Sequence, residues 1–285
     1  MPARDDGFPS GEFFDAISEV LHVSPEPGMY SAELFKSKKH ETFLLSTSRP
    51  GEGHNAPLPG TFVVKVFDAG QDDAKARESA TLASARARGI LVPCVVATAG
   101  RFLIIEHLAG ENASDVINGP ATSDMKDDVA TKLGTWLADF HHAFSDGQEW
   151  TIRGDSNLRN FIVEAGSGVV VGIDLEESGR GDPDGDVLEL IDSILITNPG
   201  IYTTAVLETI RWKFSLCGSL LDAYFKQMRV HGHAIERDLD DFLDQLIATM
   251  HRLSFRRHAQ DVFQEQERDL RDMLHHELRS CFIIF

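Results

Sequence analysis

Short β-rich runs with two helical stretches among them fill the first third of the chain, and helical spacing fills the last third. Between Glu12 and Val23, the residues Phe13, Phe14, Ile17, Val20 and Leu21 recur at near-helical spacing, which predicts a short amphipathic helix before Pro25 and Pro27. Tyr30 to Lys36, Thr42 to Ser48 and Thr61 to Phe67 are β-rich runs divided by turn formers, with three glycines and three prolines between Arg49 and Gly60. These runs predict an antiparallel meander. Good helix formers dominate from Gln71 to Arg88, and Gly89 is placed to end that helix. Leu91 to Thr98 and Phe102 to Glu106 read as two further strands joined by Ala99-Gly100. After Gly110 the period changes: Val129, Leu133, Trp136, Leu137 and Phe140 share one face of a helix from Lys126 to Phe144. Trp150 to Leu175 returns to short strands, and from Asp186 onward the chain reads as helices, broken at Asn198-Pro199-Gly200 and near Gly232. The expected fold class is therefore α+β. A small antiparallel-sheet N-terminal lobe (residues 1–107) precedes a larger helical C-terminal lobe (residues 108–285), with the boundary near His107 to Glu111.

Composition adds exclusions. With 285 residues, 42% hydrophobic and 25% charged, the chain matches soluble globular proteins and can support two cores. Asp and Glu number 45 against 27 Lys and Arg, and the resulting net charge of −18 repels phosphate backbones and anionic lipid, so no DNA partner is expected. A cluster at Arg252, Arg256, Arg257 and His258 reads as a solvated helix face. The apolar stretches fall short of the roughly 20 residues that span a bilayer, so no membrane helix is expected. The start lacks a basic region followed by an apolar run, and a cytoplasmic protein is expected. Cys94, Cys217 and Cys281 are far apart and form no C-x-x-C pair, which argues against a disulfide framework or a zinc site. His141-His142, His231-Gly232-His233 and His275-His276 lack Cys or carboxylate partners at ligand spacing, so no metal is expected there. The apolar tail from Cys281 to Phe285 is expected to pack on the helical lobe.

Candidate chemistry concentrates in Ile152-Arg153-Gly154-Asp155-Ser156-Asn157-Leu158-Arg159-Asn160-Phe161. Asp155 and Asn160, five positions apart, lie in a loop that enters an apolar strand. Phosphoryl transfer uses such a pair, a carboxylate to orient and deprotonate the attacking hydroxyl and a neutral oxygen ligand for Mg²⁺. Fourteen residues beyond Asn160, the strand Val169 to Ile173 ends in Asp174-Leu175-Glu176, placing a carboxylate suited to the same metal. Upstream, Lys65 is a single cation inside the apolar run Thr61 to Phe67, and a buried lysine requires a partner charge. Glu78 on the following helix is the natural partner, and that pair would direct the ammonium at the α- and β-phosphates of a nucleotide.

In these segments the chain resembles the protein-kinase-like superfamily, and within it the aminoglycoside phosphotransferase and choline kinase branch. Val63-Val64-Lys65 resembles the Val-Ala-Ile-Lys strand, Gly154-Asp155 to Asn160 the catalytic loop, and Ile173-Asp174-Leu175-Glu176 the Asp-Phe-Gly segment. Arg180-Gly181-Asp182-Pro183-Asp184-Gly185-Asp186 resembles the Gly-Asp-Pro-x-x-Asp segment of that branch, where the last Asp supports the catalytic-loop backbone. The resemblance implies a bilobal kinase-like fold with ATP and Mg²⁺ as cofactors, Asp155 as the catalytic base, and Asn160 and Asp174 as metal ligands. Leu103 to Gly110 is similar to the inter-lobe hinge, so the backbone of Glu106 and Leu108 would bond the adenine edge, with Val63 and Ile105 against the ring. Gly28, in Pro25 to Ser31, is the candidate turn over the triphosphate, since no Gly-x-Gly-x-x-Gly occurs near the first strands and Gly51-Glu52-Gly53 reads as a flexible turn. Two positions depart from the family pattern: Arg153 replaces the usual His before Gly-Asp, and Leu175 replaces the usual Phe.

Only eleven residues separate Asp174 from Asp186, too few for a phosphorylatable activation segment, which favours a small-molecule acceptor held by the C-terminal helices. Asp238, Asp240, Asp241 and Asp244 could attract a cationic acceptor or form a solvated helix face. Two other readings stay open: a compact atypical protein kinase or ATPase of the tRNA-modification type, and a non-catalytic nucleotide-binding module. The chain beyond Pro199 argues against the first of these, and the intact set Lys65, Asp155, Asn160 and Asp174 against the second.

Overall fold

The computed structural model describes residues 30–35, 41–47, 60–203, 206–233, 237–256 and 259–282. The helix expected at Glu12 to Val23, Gly28, Gly51 to Gly53, Arg257 and His258 lie outside those residues. The chain divides into two compact units, Met1–Ala87 with Val92–Leu108, and Arg88–Leu91 with Ala109–Phe285.

In the first unit, β1 (Tyr30–Phe35), β2 (Glu41–Thr47), β3 (Thr61–Val66), β4 (Val95–Ala99) and β5 (Phe102–Glu106) form an antiparallel sheet in the order β1-β2-β3-β5-β4. Side chains alternate between faces along each strand, so one face gathers Phe43, Leu45, Val64, Val66, Phe102 and Ile104 into a core. The opposite face carries Lys65 across from Leu103, and Val63 across from Ile105. Helix α1 (Asp72–Ala87) buries Glu78, Leu82 and Ala85, a stripe at helical spacing, and carries Asp72 and Asp73 in its first turn and Arg86 in its last, complementing the helix dipole.

β4 begins at Val95, later than the apolar run from Leu91 suggested. The reason is local. The Leu91 carbonyl accepts from Trp136 Nε1 at 2.8 Å and from the Gly172 N–H at 3.1 Å, and Arg88 reaches the Ala143 carbonyl and lies 4.7 Å from the Phe144 ring centre. Those bonds tie Arg88–Leu91 to the second unit.

The second unit contains β6 (Gly110–Asn112), α2 (Ala113–Asn118), α3 (Ser123–Ala143), β7 (Trp150–Ile152), β8 (Phe161–Glu164), β9 (Val170–Gly172), β10 (Gly179–Gly181), α4 (Pro183–Ile196), α5 (Arg211–Val230), α6 (Leu239–Arg256) and α7 (Gln260–Leu278). β6, β8 and β9 pair antiparallel in the order β6-β8-β9, and β7 pairs with β10. α3 starts three residues before its apolar stripe suggested, because the Thr122 hydroxyl caps it by accepting from the Met125 N–H. The stripe Val129, Leu133, Trp136, Leu137 and Phe140 is buried throughout. α3 crosses α5 with backbones nearly touching: a Cβ on Gly134 would lie 2.1 Å from the Leu220 carbonyl oxygen, so no larger residue fits. Phe282 packs its ring 5.2 Å from both Phe225 and Phe242, so the start of the apolar tail does lie on these helices.

α4 ends in a buried cation. Lys213 is fully buried, and its ammonium donates to Ile194 O at 2.8 Å, Thr197 O at 2.6 Å and Asn118 Oδ1 at 2.8 Å. It thereby satisfies carbonyls that the last turn of a helix leaves without intrahelical donors. Burial lowers the ammonium to about 8, so it remains predominantly protonated at neutral pH. Lys213→Met keeps the aliphatic stem and removes the three donors. It is expected to lower stability by about 2 to 4 kcal/mol, read as a lower urea midpoint; an unchanged midpoint would contradict this capping role.

Candidate active site

In the first unit, Lys65 Nζ lies 2.6 Å from Glu78 Oε1, with the Glu78 side chain fully buried. Strand alternation turns Lys65 away from the core, toward α1, and the α1 stripe brings Glu78 to meet it. Val63 and Ile105 are cross-strand partners on that same face, Val63 half-buried and Ile105 buried. The Glu106 N–H donates to Cys94 O at 2.9 Å, while its carboxylate accepts from the Cys94 N–H at 3.0 Å and lies 3.5 Å from Arg86. The Glu106 side chain therefore serves to fix the end of β5. Leu108 is half-buried at the end of the unit.

In the second unit, Arg153 to Asn160 forms an irregular loop between β7 and β8 that ends in a 3₁₀ turn at Leu158–Asn160. α4 holds this loop by its backbone. Asp186 accepts from the Arg153 N–H at 2.6 Å and from the Gly154 N–H at 3.1 Å; Glu189 accepts from the Ser156 N–H at 2.8 Å; the Ser193 hydroxyl accepts from the Leu158 N–H at 3.1 Å. Residues 186, 189 and 193 share one helix face, since three and four positions make about one turn. Four N–H groups of the loop thus meet successive side chains on α4. Gly154 has φ of +79°, and a Cβ there would lie 2.6 Å from the Glu177 carbonyl oxygen, so the conformation needs glycine twice over.

Asp186 is almost fully buried and has a third donor, His141 Nε2 at 3.0 Å, whose Nδ1 lies 2.9 Å from the Tyr224 hydroxyl. Burial alone would raise the Asp186 carboxyl; the His141 bond and charge and the Arg153 and Gly154 N–H donors outweigh it and hold the group below its ordinary 3.8. Sequence spacing gave no sign of His141, which lies 45 residues before Asp186.

Asn160 Nδ2 donates to the Asp155 carbonyl at 3.1 Å, leaving Oδ1 as the acceptor end of its amide, and Asn160 O accepts from the Ile173 N–H at 2.9 Å. That last bond joins the segment carrying Asp155 and Asn160 to the one carrying Asp174. Asp174 has φ of +61°, the only non-glycine residue with positive φ among the described residues. Such backbone strain is characteristic of functional sites. Leu175, in the place of the usual Phe, is fully buried.

Arg153 reinforces the same junction. Its guanidinium is buried, donates to the Ile173 carbonyl at 2.8 Å, and lies over the Phe161 ring at 4.3 Å and the Trp136 ring at 5.3 Å. Burial lowers it to about 10 against the pull of Asp186, Asp174, Asp155 and Glu189, so it stays a cation at neutral pH. The Arg in place of His therefore spans the loop and the segment before Asp174 with a permanent charge.

The remaining sequence candidates have structural partners. Asp238 accepts from the Asp240 and Asp241 N–H groups, and Asp244 pairs with Arg271 at 2.6 Å. The Arg252 guanidinium donates to the Thr249 hydroxyl at 2.9 Å.

Glu189 supplies a pH test. Burial first, then the charges of Asp155 and Asp186, raise its carboxyl from 4.5 to about 7 despite the Ser156 N–H. A folded value above the unfolded one makes this contribution largest below pH 4.5 and progressively lost as pH rises through about 7. Glu189→Gln should flatten the stability profile between those values, as measured by thermal melts at stepped pH. A variant profile parallel to wild type would contradict the assignment.

No protein-family model and no curated protein sequence matches the chain. Solved structures do. A gentamicin complex of APH(2")-IIa aligns over 98% of this chain and 97% of that one, with TM-score 0.54 and 14% identity. Aminoglycoside phosphotransferase APH(3'')-Id from Streptomyces rimosus covers 81% of this chain and 94% of its own, with TM-score 0.52 and 17% identity. Choline kinase from Cryptosporidium parvum covers 78% of this chain and 80% of its own, with TM-score 0.50 and 9% identity. At these identities the likeness is one of fold. The sheet-rich N-terminal unit and helical C-terminal unit are those of the bilobal, protein-kinase-like α+β fold, in the form that these small-molecule phosphotransferases share.

Proposed function

We propose that the chain is an ATP- and Mg²⁺-dependent phosphotransferase that moves the γ-phosphoryl group to a hydroxyl of a small molecule. The observation that carries this reading is the loop bearing Asp155 and Asn160, bonded through Ile173 to strained Asp174 and held by four of its own N–H groups, which donate to side chains of α4. Residues 1–107 would serve as the nucleotide lobe and residues 108–285 as the catalytic and acceptor lobe.

The donor chemistry fits the cofactors. Asp174 and the Oδ1 of Asn160 are hard oxygen ligands of the kind Mg²⁺ takes, alongside phosphate oxygens. Bound Mg²⁺ would neutralise charge developing on the phosphates. The Lys65 ammonium, fixed by Glu78, would hold the α- and β-phosphates. Val63 and Ile105 would pack against the adenine, with the backbone of Glu106 and Leu108 bonding its edge. The Asp155 carboxylate would accept the proton of the attacking hydroxyl and set its angle of approach.

Support for a small acceptor comes from the connection between Asp174 and Asp186, which is short and holds β10 and the first residues of α4. Beside the loop, α4 and α6 line a cavity of about 640 Å³ that includes Asn157, Glu189, Asp192, Gln245 and Arg252. A cavity of that size suits a single metabolite. No described helix is long and apolar enough to cross a membrane.

The test is transfer from γ-labelled ATP to a panel of hydroxyl compounds in Mg²⁺, with a protein-only control. Asp155→Asn keeps size and removes the proton acceptor, so single-turnover transfer should fall about a hundredfold or more while nucleotide affinity changes little. Wild-type transfer in that variant, or label appearing only on the protein, would overturn the reading.

A further inference from the structure

Three histidines that are scattered in sequence meet at one end of the α3–α5 pair. His142 sits in the last turn of α3, while His231 and His233 follow α5. His142 Nδ1 and His233 Nε2 are 3.0 Å apart. A contact this short between two ring nitrogens needs a lone pair on at least one of them, aimed at the other.

Both rings are held from outside. The His231 ring stacks on His142 with centres 4.0 Å apart and planes within 7°. His231 is in turn fixed by Asp139, whose Oδ1 lies 2.7 Å from His231 Nε2 and accepts from Gln227 Nε2 at 2.7 Å. On the other side the Trp150 ring lies 4.8 Å from His233 at 63°. The His142 ring is thus placed by stacking on a hydrogen-bonded neighbour and the His233 ring by an aromatic edge contact.

We propose that His142 Nδ1 and His233 Nε2 form a binding site for a borderline divalent cation of the Zn²⁺, Ni²⁺ or Cu²⁺ class, distinct from the Mg²⁺ ligands assigned to Asn160 and Asp174. Imidazole nitrogen suits this class and not Mg²⁺. Two nitrogens on one tetrahedral Zn²⁺, each at about 2.0 to 2.1 Å, lie about 3.3 Å apart, so the nitrogens separate by a few tenths of an ångström while each ring tilts to aim its lone pair at an ion beside the line that joins them. For the ion to bind, the proton shared between the rings moves to the other nitrogen of its own imidazole or, from an imidazolium, to solvent, which leaves a lone pair on each facing nitrogen, and water completes the ion's shell. Because one ligand belongs to α3 and the other follows α5, the ion cross-links the ends of two packed helices.

The experiment uses the full chain without a histidine tag, with 5 mM-scale Mg²⁺ (roughly, to saturate oxygen-donor sites) and Zn²⁺ delivered against a chromogenic chelator. One Zn²⁺ per chain is expected. His142→Ala and His233→Ala should each weaken binding about tenfold or more, as loss of a ligand does, whereas His275→Ala should not. Saturating Zn²⁺ should raise the wild-type Tm by about 5 °C and leave both site variants unmoved. Should either alanine variant melt early, His142→Gln and His233→Gln replace it in the same titration. Equal affinity in wild type and site variants, displacement of Zn²⁺ by Mg²⁺, or no stoichiometric binding would each overturn the proposal.

Discussion

The geometry of the candidate site depends on one helix face. An irregular loop must find partners for its backbone N–H groups, and here those of Arg153, Gly154, Ser156 and Leu158 are taken by Asp186, Glu189 and Ser193 of α4. A carboxylate as deeply buried as Asp186 would be costly alone. Two loop amides and His141 offset that cost, and the same bonds fix where Asp155 and Asn160 leave the loop. Charge-assisted bonds to backbone amides are stronger than neutral ones, so the anchor also resists local opening.

A second layer carries that order to Asp174. Asn160 O accepts from the Ile173 N–H, and the Arg153 guanidinium donates to the Ile173 carbonyl, so the residue before Asp174 is held at both its backbone polar groups. Over-determination of this kind lets Asp174 persist at positive φ. In the first unit the same economy of means applies: strand alternation alone puts Val64 and Val66 in the core and turns Lys65 to Glu78. In both units a charged side chain is placed by backbone geometry and then neutralised locally.

Much of this was legible in the sequence. Short β-rich and apolar runs bounded by turn formers located the β3 and β5 strands, the α3 stripe located its buried face, and the lone Lys65 in an apolar strand pointed to Glu78. Legibility failed where tertiary partners decide. Leu91 to Cys94 is as apolar as a strand, yet Trp136 and Gly172 claim the Leu91 carbonyl, and β4 starts later. Glu189 and Ser193 look like ordinary helix residues until their spacing from Asp186 is matched to the loop amides of Arg153, Gly154, Ser156 and Leu158. His141, His142, His231 and His233 are uninformative by local spacing, because the helices that bring them together are about 90 residues apart.

The central claim is that α4 holds the loop through side-chain acceptors, and native-state hydrogen exchange followed by NMR tests it at single amides. In Asp186→Asn the charge that receives Arg153 and Gly154 is gone. The amides of Arg153 and Gly154 should then exchange about tenfold faster or more, with Ser156 and Leu158 following as the loop loosens, while amides in the middle of α3 and α5 keep wild-type protection. Unchanged protection at Arg153 and Gly154, or an equal loss of protection across α3, α5 and the loop, would contradict the account.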